Sequence, residues 1–358
     1  MIALVTGITG QDGGYLAHHL SELGYDRVIG LVRRTSDDDP IGRLRLRELL
    51  PHLDSGRLIL EYGDITDAFS LLRVFEKHEP DEVYSLAAQS HVARSFEMPI
   101  LTRVTNQFGP LNILEALRTV TPDACMYQAS TSEMYGRAAE YCSPQDENTP
   151  FEPVSPYGEA KLFAHLSMAR ARQDSVQPVR VTCGILFNHE SARGRGPKFA
   201  SRKVTIAAAR IRLNRQEILE LGNIDAERDW GYAPDYVEAM HLMLQSQRTR
   251  EPKDWEDYVV ATGTKHSVRE LVEIAFDTAY EGEADLEWHG AGLDTVMTVN
   301  GVTRVRINPQ FYRERDINHL LGNPAKAIRD LGWNPTRTSF EEMIQHMVEH
   351  DLAAEGSK

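Results

Sequence analysis

Short apolar runs alternate with stretches of helical periodicity through the first half of the chain. The runs Ile2–Thr6, Val28–Val32, Leu58–Tyr62, Val83–Ala88, Cys125–Ala129 and Val179–Leu186 predict strands. The 3.6-residue pattern at Tyr15–Leu23, Phe69–Phe75, Ile100–Leu117 and Tyr157–Arg172 predicts helices between them. Nearly continuous apolar strands separated by helices imply a parallel sheet covered on both faces, the doubly wound α/β fold. Such a sheet takes ligands at the C-terminal ends of its strands, where the winding reverses. Past Phe187 the pattern loosens, and strand-like pieces (Glu217–Leu221, Tyr258–Thr262, Val302–Ile307) alternate with helices. We therefore expect a Rossmann-type domain over 1–187, to which the chain returns around 223–265. A smaller mixed α/β substrate lobe over 188–350 and a frayed tail over 351–358 complete the expectation. One late helix shows both ends, with Asn323 as cap, Pro324 at its first position and Gly332 after Leu331.

The 358 residues allow one large or two ordinary domains. No apolar run is long enough for a membrane span. The chain opens directly on the strand pattern MIALVTG with no basic stretch before it, so no secretory signal is expected. Cys125, Cys142 and Cys183 are too few and too scattered for a disulfide scaffold or a zinc motif; we expect a reduced cytoplasm and no metal. A net charge of −14 argues against nucleic acid and anionic lipid as partners, so any anionic ligand needs local donors.

The segment Thr6-Gly7-Ile8-Thr9-Gly10-Gln11-Asp12-Gly13 follows the first strand and opens a helix. Glycines every third residue allow a tight turn and close approach of a pyrophosphate to a helix N-terminus. The second strand ends in Arg33-Arg34 where an acid would take the ribose hydroxyl of NAD. Two guanidinium forks match a phosphate instead, so NADP is the expected cofactor. Asp37, Asp38 and Asp39 follow at once and would oppose that phosphate unless they turn away or pair with Arg43, Arg45 or Arg47. Asp64 and Ile65 after the third strand, and Leu86-Ala87-Ala88-Gln89-Ser90 after the fourth, fall at the same edge.

The fifth strand runs into Ser130-Thr131-Ser132-Glu133, and Ser155-Pro156-Tyr157-Gly158-Glu159-Ala160-Lys161 follows. Tyr157 and Lys161 are four apart on one helix and share a face. A lysine cation beside a phenol favours phenolate, which would make Tyr157 a base and leave Thr131 to bind the same substrate oxygen.

At these residues the chain resembles the extended short-chain dehydrogenase/reductase superfamily, and within it the GDP-mannose 4,6-dehydratase family. TGITGQDG, VRRTS, LAAQSHVARSFE, QASTSEMYG, SPYGEAK, GILFNHES, LELGNIDAERDWGYAPDYV, ATGTKHSVRELVE and LLGNPAKAIRDLGW carry the likeness from residue 2 to about 350. The resemblance implies that Tyr157 is the base for the C4 hydroxyl, Lys161 its electrostatic partner and Thr131 a hydrogen-bonding partner of that hydroxyl. Glu133 would take the C5 proton. Gly7, Thr9, Gly10, Gln11, Asp12, Gly13, Arg33, Arg34, Asp64, Ile65, Leu86 to Ser90, His189 and Arg193 would hold NADP, with Tyr157 and Lys161. Ser90, Thr131, Ser132, Glu133, Asn188, Glu190, Lys203, Gly222, Arg228 and Arg313 would face the nucleotide sugar. A carboxylate at 133 separates a dehydratase from a plain epimerase, which needs no base for C5.

Several positions depart from the family's pattern. Its usual arginine pair after NHES is spread here to Arg193 and Arg195, and the segment after Arg34 is shorter and more acidic. These changes favour a homodimer over the family's tetramer. Gly158-Glu159 and the segment Val104–Pro110 also differ, which keeps open another nucleotide hexose, or an epimerase on the same fold; an NADP-sensing binding protein is the non-enzymatic alternative. Pro110 lies inside the pattern Ile100–Leu117 and has no N–H for the Asn106 carbonyl. In relatives an asparagine on this helix holds a water leading to the active lysine, which suggests a proton path from Tyr157 through Lys161 to Asn106. The alternative is a helix that begins at Pro110.

Overall fold

A computed structural model describes residues 1–35, 39–197, 199–311 and 319–357. The expected strands form as β1 (Ile2–Thr6), β2 (Arg27–Val32), β3 (Leu58–Tyr62), β4 (Glu82–Ser85), β5 (Cys125–Ala129) and β6 (Arg180–Leu186). Among the described residues nine follow: β7 (Asn188–Glu190), β8 (Leu219–Leu221), β9 (Glu227–Tyr232), β10 (Tyr258–Val260), β11 (Lys265–Ser267), β12 (Leu286–His289), β13 (Val296–Val299), β14 (Val302–Ile307) and β15 (His319–Leu320). The central sheet is parallel throughout, in the order β10-β6-β5-β4-β1-β2-β3. Its winding reverses between β1 and β4, so the loops after these two strands frame the ligand edge.

The helices are α1 (Gln11–Glu22), α2 (Leu50–Asp54), α3 (Ala68–His78), α4 (Val92–Glu97), α5 (Pro99–Arg103), α6 (Gly109–Val120), α7 (Pro156–Arg172), α8 (Ala200–Arg212), α9 (Ala233–Gln245), α10 (Val268–Ala279), α11 (Ala325–Leu331) and α12 (Phe340–Gly356). Strand alternation sends Val5 and Val28 to one face, where Leu16 and Leu20 of α1 and Met240 and Met243 of α9 cover them. Leu4 and Ile29 point to the other face, under Phe75 of α3, Leu117 of α6 and Met168 of α7. Each such side chain removed from water contributes roughly 1.5–3 kcal/mol before entropy. A separate apolar cluster joins α8, α10 and α12 to β8, β13 and β14. These strands belong to a four-stranded sheet, β12-β13-β14-β8, while β11-β9-β15 with β7 forms another.

Three expectations need correction. The run Val83–Ala88 is a strand only to Ser85, because the Leu86 and Ala87 N–H groups turn away to donate to Thr6 Oγ1, at 3.0 Å each. The pattern Ile100–Leu117 is helical throughout but broken by a π turn, Val104–Phe108. There the Gly109 N–H reaches the Val104 carbonyl, five residues back instead of four. Helix therefore lies on both sides of Pro110, and the wide turn accommodates the proline. Finally, residues from 351 are helical to Gly356 instead of forming a tail. Asp351 is paired with buried Arg202 and Glu355 with Arg210. The late helix ends as expected, with Gly332 in the left-handed region, but starts one residue later than expected: Pro324 is its N-cap, and Asn323 Oδ1 accepts from Ala325 N–H in the turn before it.

Candidate active site

The glycine loop lies at the switch point between β1 and β4. Gly7 has φ +74, and a Cβ there would sit 2.9 Å from the Ala87 nitrogen. A Cβ on Gly13 would sit 2.2 Å from the Gly7 carbonyl oxygen. No side chain caps α1, whose N-cap is Gly10, so its first N–H groups remain for a ligand. This cradle of bare backbone at a helix N-terminus fits the pyrophosphate of a dinucleotide.

Asp12 projects from α1 into the cavity. Burial alone would raise its carboxyl, but the His189 imidazole at 3.0 Å, with the Gln11 amide, outweighs that and holds it at about 2. Burial would favour neutral His189; the Asp12 charge overrides this and raises it. His189 also bonds the Phe187 carbonyl at 2.7 Å and stacks on Tyr236. The Gln11 side chain is turned inward, donating to the His189 carbonyl and accepting from Ser191, so this residue offers a ligand its backbone.

A cavity of about 1220 Å³ runs from Asp12, Leu86, Ala88 and Ser90 past Tyr157 and Lys161. It continues between the sheet edge and the second apolar cluster, with Leu221, Trp230 and Phe311 in its far wall. Pockets for single small ligands span about 300–1,000 Å³, so this one lies above that range.

The catalytic candidates converge at its middle. Thr131 and Ser132 follow β5, where Thr131 caps a short turn by accepting from Glu133 N–H. Tyr157 and Lys161 stand on α7, whose start is fixed by Pro156 and by the Ser155 hydroxyl accepting from Gly158 N–H. Gly158 lets α7 approach closely, since a Cβ there would lie 2.8 Å from the Glu133 carbonyl oxygen. Thr131, Ser132, Glu133, Tyr157 and Lys161 all line the cavity. Burial pushes the Tyr157 phenol up to about 12, partly offset by its hydrogen bond with Thr131. Burial also brings the Lys161 ammonium down to about 8. The expected lowering of Tyr157 by Lys161 is thus absent from the resting site, where desolvation dominates. Lys161 Nζ donates to the Ala129 carbonyl at 2.9 Å. Asn106, at the far end of the suggested path, lies in the π turn. Asn106 is buried, and its side chain holds the Gln89 backbone, Nδ2 donating to the carbonyl at 2.9 Å and Oδ1 accepting from the N–H at 2.8 Å.

The remaining expected residues divide. Asn188, Glu190, Lys203, Gly222 and Arg228 reach the cavity wall. The buried Glu190 carboxylate is already engaged by Ser201 at 2.7 Å and Arg195 at 2.8 Å. Lys203 donates to the Glu220 carbonyl and lies over the Phe311 ring, 4.0 Å from its centre. Arg33 and Arg34 are exposed at the end of β2, Arg34 stacked over Tyr62 at 4.7 Å. Asp64 caps its own loop by accepting from Thr66 N–H at 2.8 Å. Ile65 packs beneath Gly109, and Asn112 bonds its carbonyl. Arg193 pairs with Glu48 and is not part of this chain's cavity wall, whereas Arg195 lines the wall over Phe199. Asp39 turns to its own segment, accepting from Gly42 N–H at 2.8 Å and through its carbonyl from Arg43. Asp37, Asp38 and Arg313 lie outside the described residues.

Compared with known proteins, the chain matches the family described as GDP-mannose 4,6 dehydratase across residues 4–347. It belongs to that family. It is 43% identical to the GDP-mannose 4,6 dehydratase of Drosophila melanogaster, covering 98% of this chain and 86% of that one. The GDP-mannose 4,6 dehydratase 2 of Caenorhabditis elegans is 44% identical, covering 98% and 89%. Among solved structures, a dTDP-glucose 4,6-dehydratase from Streptomyces venezuelae with NAD bound superposes with a TM-score of 0.78 at 23% identity, covering 100% of this chain and 98% of that one. That likeness speaks to the fold. In this family member the cavity residues that sequence reasoning missed include Leu221, Ala226, Trp230, Val268 and Phe311. They come from four separate segments, and local pattern marks them as ordinary core.

Proposed function

We propose that this chain, as a GDP-mannose 4,6-dehydratase, converts GDP-D-mannose to GDP-4-keto-6-deoxy-D-mannose with Thr131, Glu133, Tyr157 and Lys161 as its catalytic residues. The observation carrying the assignment is a carboxylate, Glu133, on the cavity wall beside the Thr131–Tyr157 pair. Thr131 holds the C4 hydroxyl, and Tyr157 takes its proton. The Lys161 ammonium, fixed by the Ala129 carbonyl, supplies positive charge from within a buried site. Once C4 is a ketone the C5 proton is acidic; Glu133 removes it and then protonates the departing C6 oxygen, releasing water. C5 regains a proton from solvent. When bound, NADP supplies reversible hydride storage, taken from C4 and returned to C6, so the reaction has no net redox change. Lys203, Arg228 and Arg195 line the cavity of an otherwise acidic protein and suit the diphosphate. Incubation with GDP-, UDP- and TDP-hexoses tests the substrate: a 4-keto sugar should form from GDP-mannose. Formation from another hexose and none from GDP-mannose would refute it.

The choice of NADP rests on Arg33 and Arg34 at the end of β2. Replacing both with alanine should remove at least one bidentate phosphate contact, on the order of 2–3 kcal/mol, and abolish discrimination between NADP and NAD. Titration of both dinucleotides into stripped protein checks this; equal wild-type affinities would contradict it.

We also propose a homodimer. Ile100, Leu101, Val104 and Phe108 are exposed along α5 and the π turn, and Phe163 and Leu166 are exposed on the neighbouring α7. Several large apolar side chains on adjacent helices form a patch that a second copy would cover. Light scattering should give twice the 40.4 kDa chain mass.

A further inference from the structure

His18 and Glu22 are four apart near the end of α1 and share a face, and His52 on α2 meets them there. His18 Nδ1 lies 3.1 Å from His52 Nε2, and that Nε2 lies 3.4 Å from Glu22 Oε1. All three ligating atoms fall within 4.8 Å of one another. Zinc binds imidazole nitrogen and carboxylate oxygen at about 2.0–2.2 Å. Tetrahedral angles then place the ligand atoms roughly 3.3–3.5 Å apart, close to the spacing here. From this geometry we propose that His18, Glu22 and His52 form a zinc-type divalent cation site, with water in the fourth position.

Two further features fit. Glu22 is the last residue of α1, so the site lies at the helix end whose partial negative charge favours a cation. Glu22 is exposed, giving an ion an entry path from solvent. The other compact group, His165, Cys183 and Asp257, lacks this freedom, because both Asp257 oxygens are held by the buried Arg172. The nearby Arg57 guanidinium is directed to the Ser21 carbonyl, to which it donates at 3.1 Å.

The site joins two elements. α2 directly follows the short turn Arg47–Leu49, and this segment reaches the far loop: Arg45 donates to the Gly194 carbonyl and Glu48 pairs with Arg193. The Gly194 loop lies on Gln11 of the glycine loop. A bound ion would therefore brace α1 against the segment that covers the dinucleotide cradle.

The test uses full-length, tag-free protein treated with chelator and titrated with Zn²⁺ and, separately, with Co²⁺. We expect one ion per chain and the intense visible absorption of tetrahedral Co²⁺. His18→Asn and Glu22→Gln should each weaken Zn²⁺ binding by about tenfold or more, with metal-free melting temperature unchanged. His289→Asn, at an exposed histidine elsewhere, should bind like the parent. No saturable Zn²⁺ binding, or binding equally tight in both ligand variants, overturns the site.

Discussion

Glu133→Gln should stop water elimination while leaving C4 oxidation intact. The amide keeps the shape of the side chain but cannot take the C5 proton or hand one to the C6 oxygen. One residue serves two proton transfers, so the loss in 6-deoxy product should be about 10³-fold or more. A single turnover should yield a 4-keto sugar that keeps its C6 hydroxyl, and solvent deuterium should no longer enter C5. Formation of 6-deoxy product at near the parent rate would remove Glu133 from the base role.

Lys161→Met should cost activity and add stability. The ammonium is the buried cation beside the reacting hydroxyl, and losing such a group costs about 10²–10³-fold in rate. Its folding cost is legible in its pKa, brought by burial from 10.5 to about 8. Each pKa unit corresponds to about 1.4 kcal/mol, giving roughly 3 kcal/mol against folding below pH 8. Methionine removes that cost and takes away one of the two donors to the Ala129 carbonyl, which keeps the Gln128 amide, a loss of about 1 kcal/mol at most. A net gain near 2 kcal/mol is expected at neutral pH. The sign with pH follows from proton counting. Between the folded value near 8 and the unfolded value of 10.5, the unfolded chain binds more protons, so parent stability rises with pH. The advantage of the variant should therefore shrink across that window. Denaturant melts of both proteins at several pH values check it; a variant less stable at pH 7 would contradict the desolvation argument.

The nucleotide-binding half was legible in the sequence because its determinants are local. β1, β3 and β5 match their apolar runs, and the glycine spacing marks the β1–α1 turn. That Thr131, Glu133, Tyr157 and Lys161 would line one cavity was legible because strand end and helix face are read from short segments. The misses arise from contacts between distant segments. β4 ends early because Thr6, far away in sequence, accepts the next two N–H groups. Arg193 and Arg195 are two residues apart, and only Glu48 and Glu190 decide which of them lines this chain's cavity wall. The raised Tyr157 depends on burial, which spacing on a helix does not convey.

Oxidation, elimination and reduction on one hexose move a single hydride from C4 to C6. The most direct test gives the purified enzyme GDP-mannose deuterated at C4, in ordinary water and without added cofactor. The geometry of Thr131, Glu133, Tyr157 and Lys161 around one cavity predicts GDP-4-keto-6-deoxymannose with the label in the C6 methyl group and ordinary hydrogen at C5. Product that retains its C6 oxygen, or a C6 methyl group without the label, would contradict it.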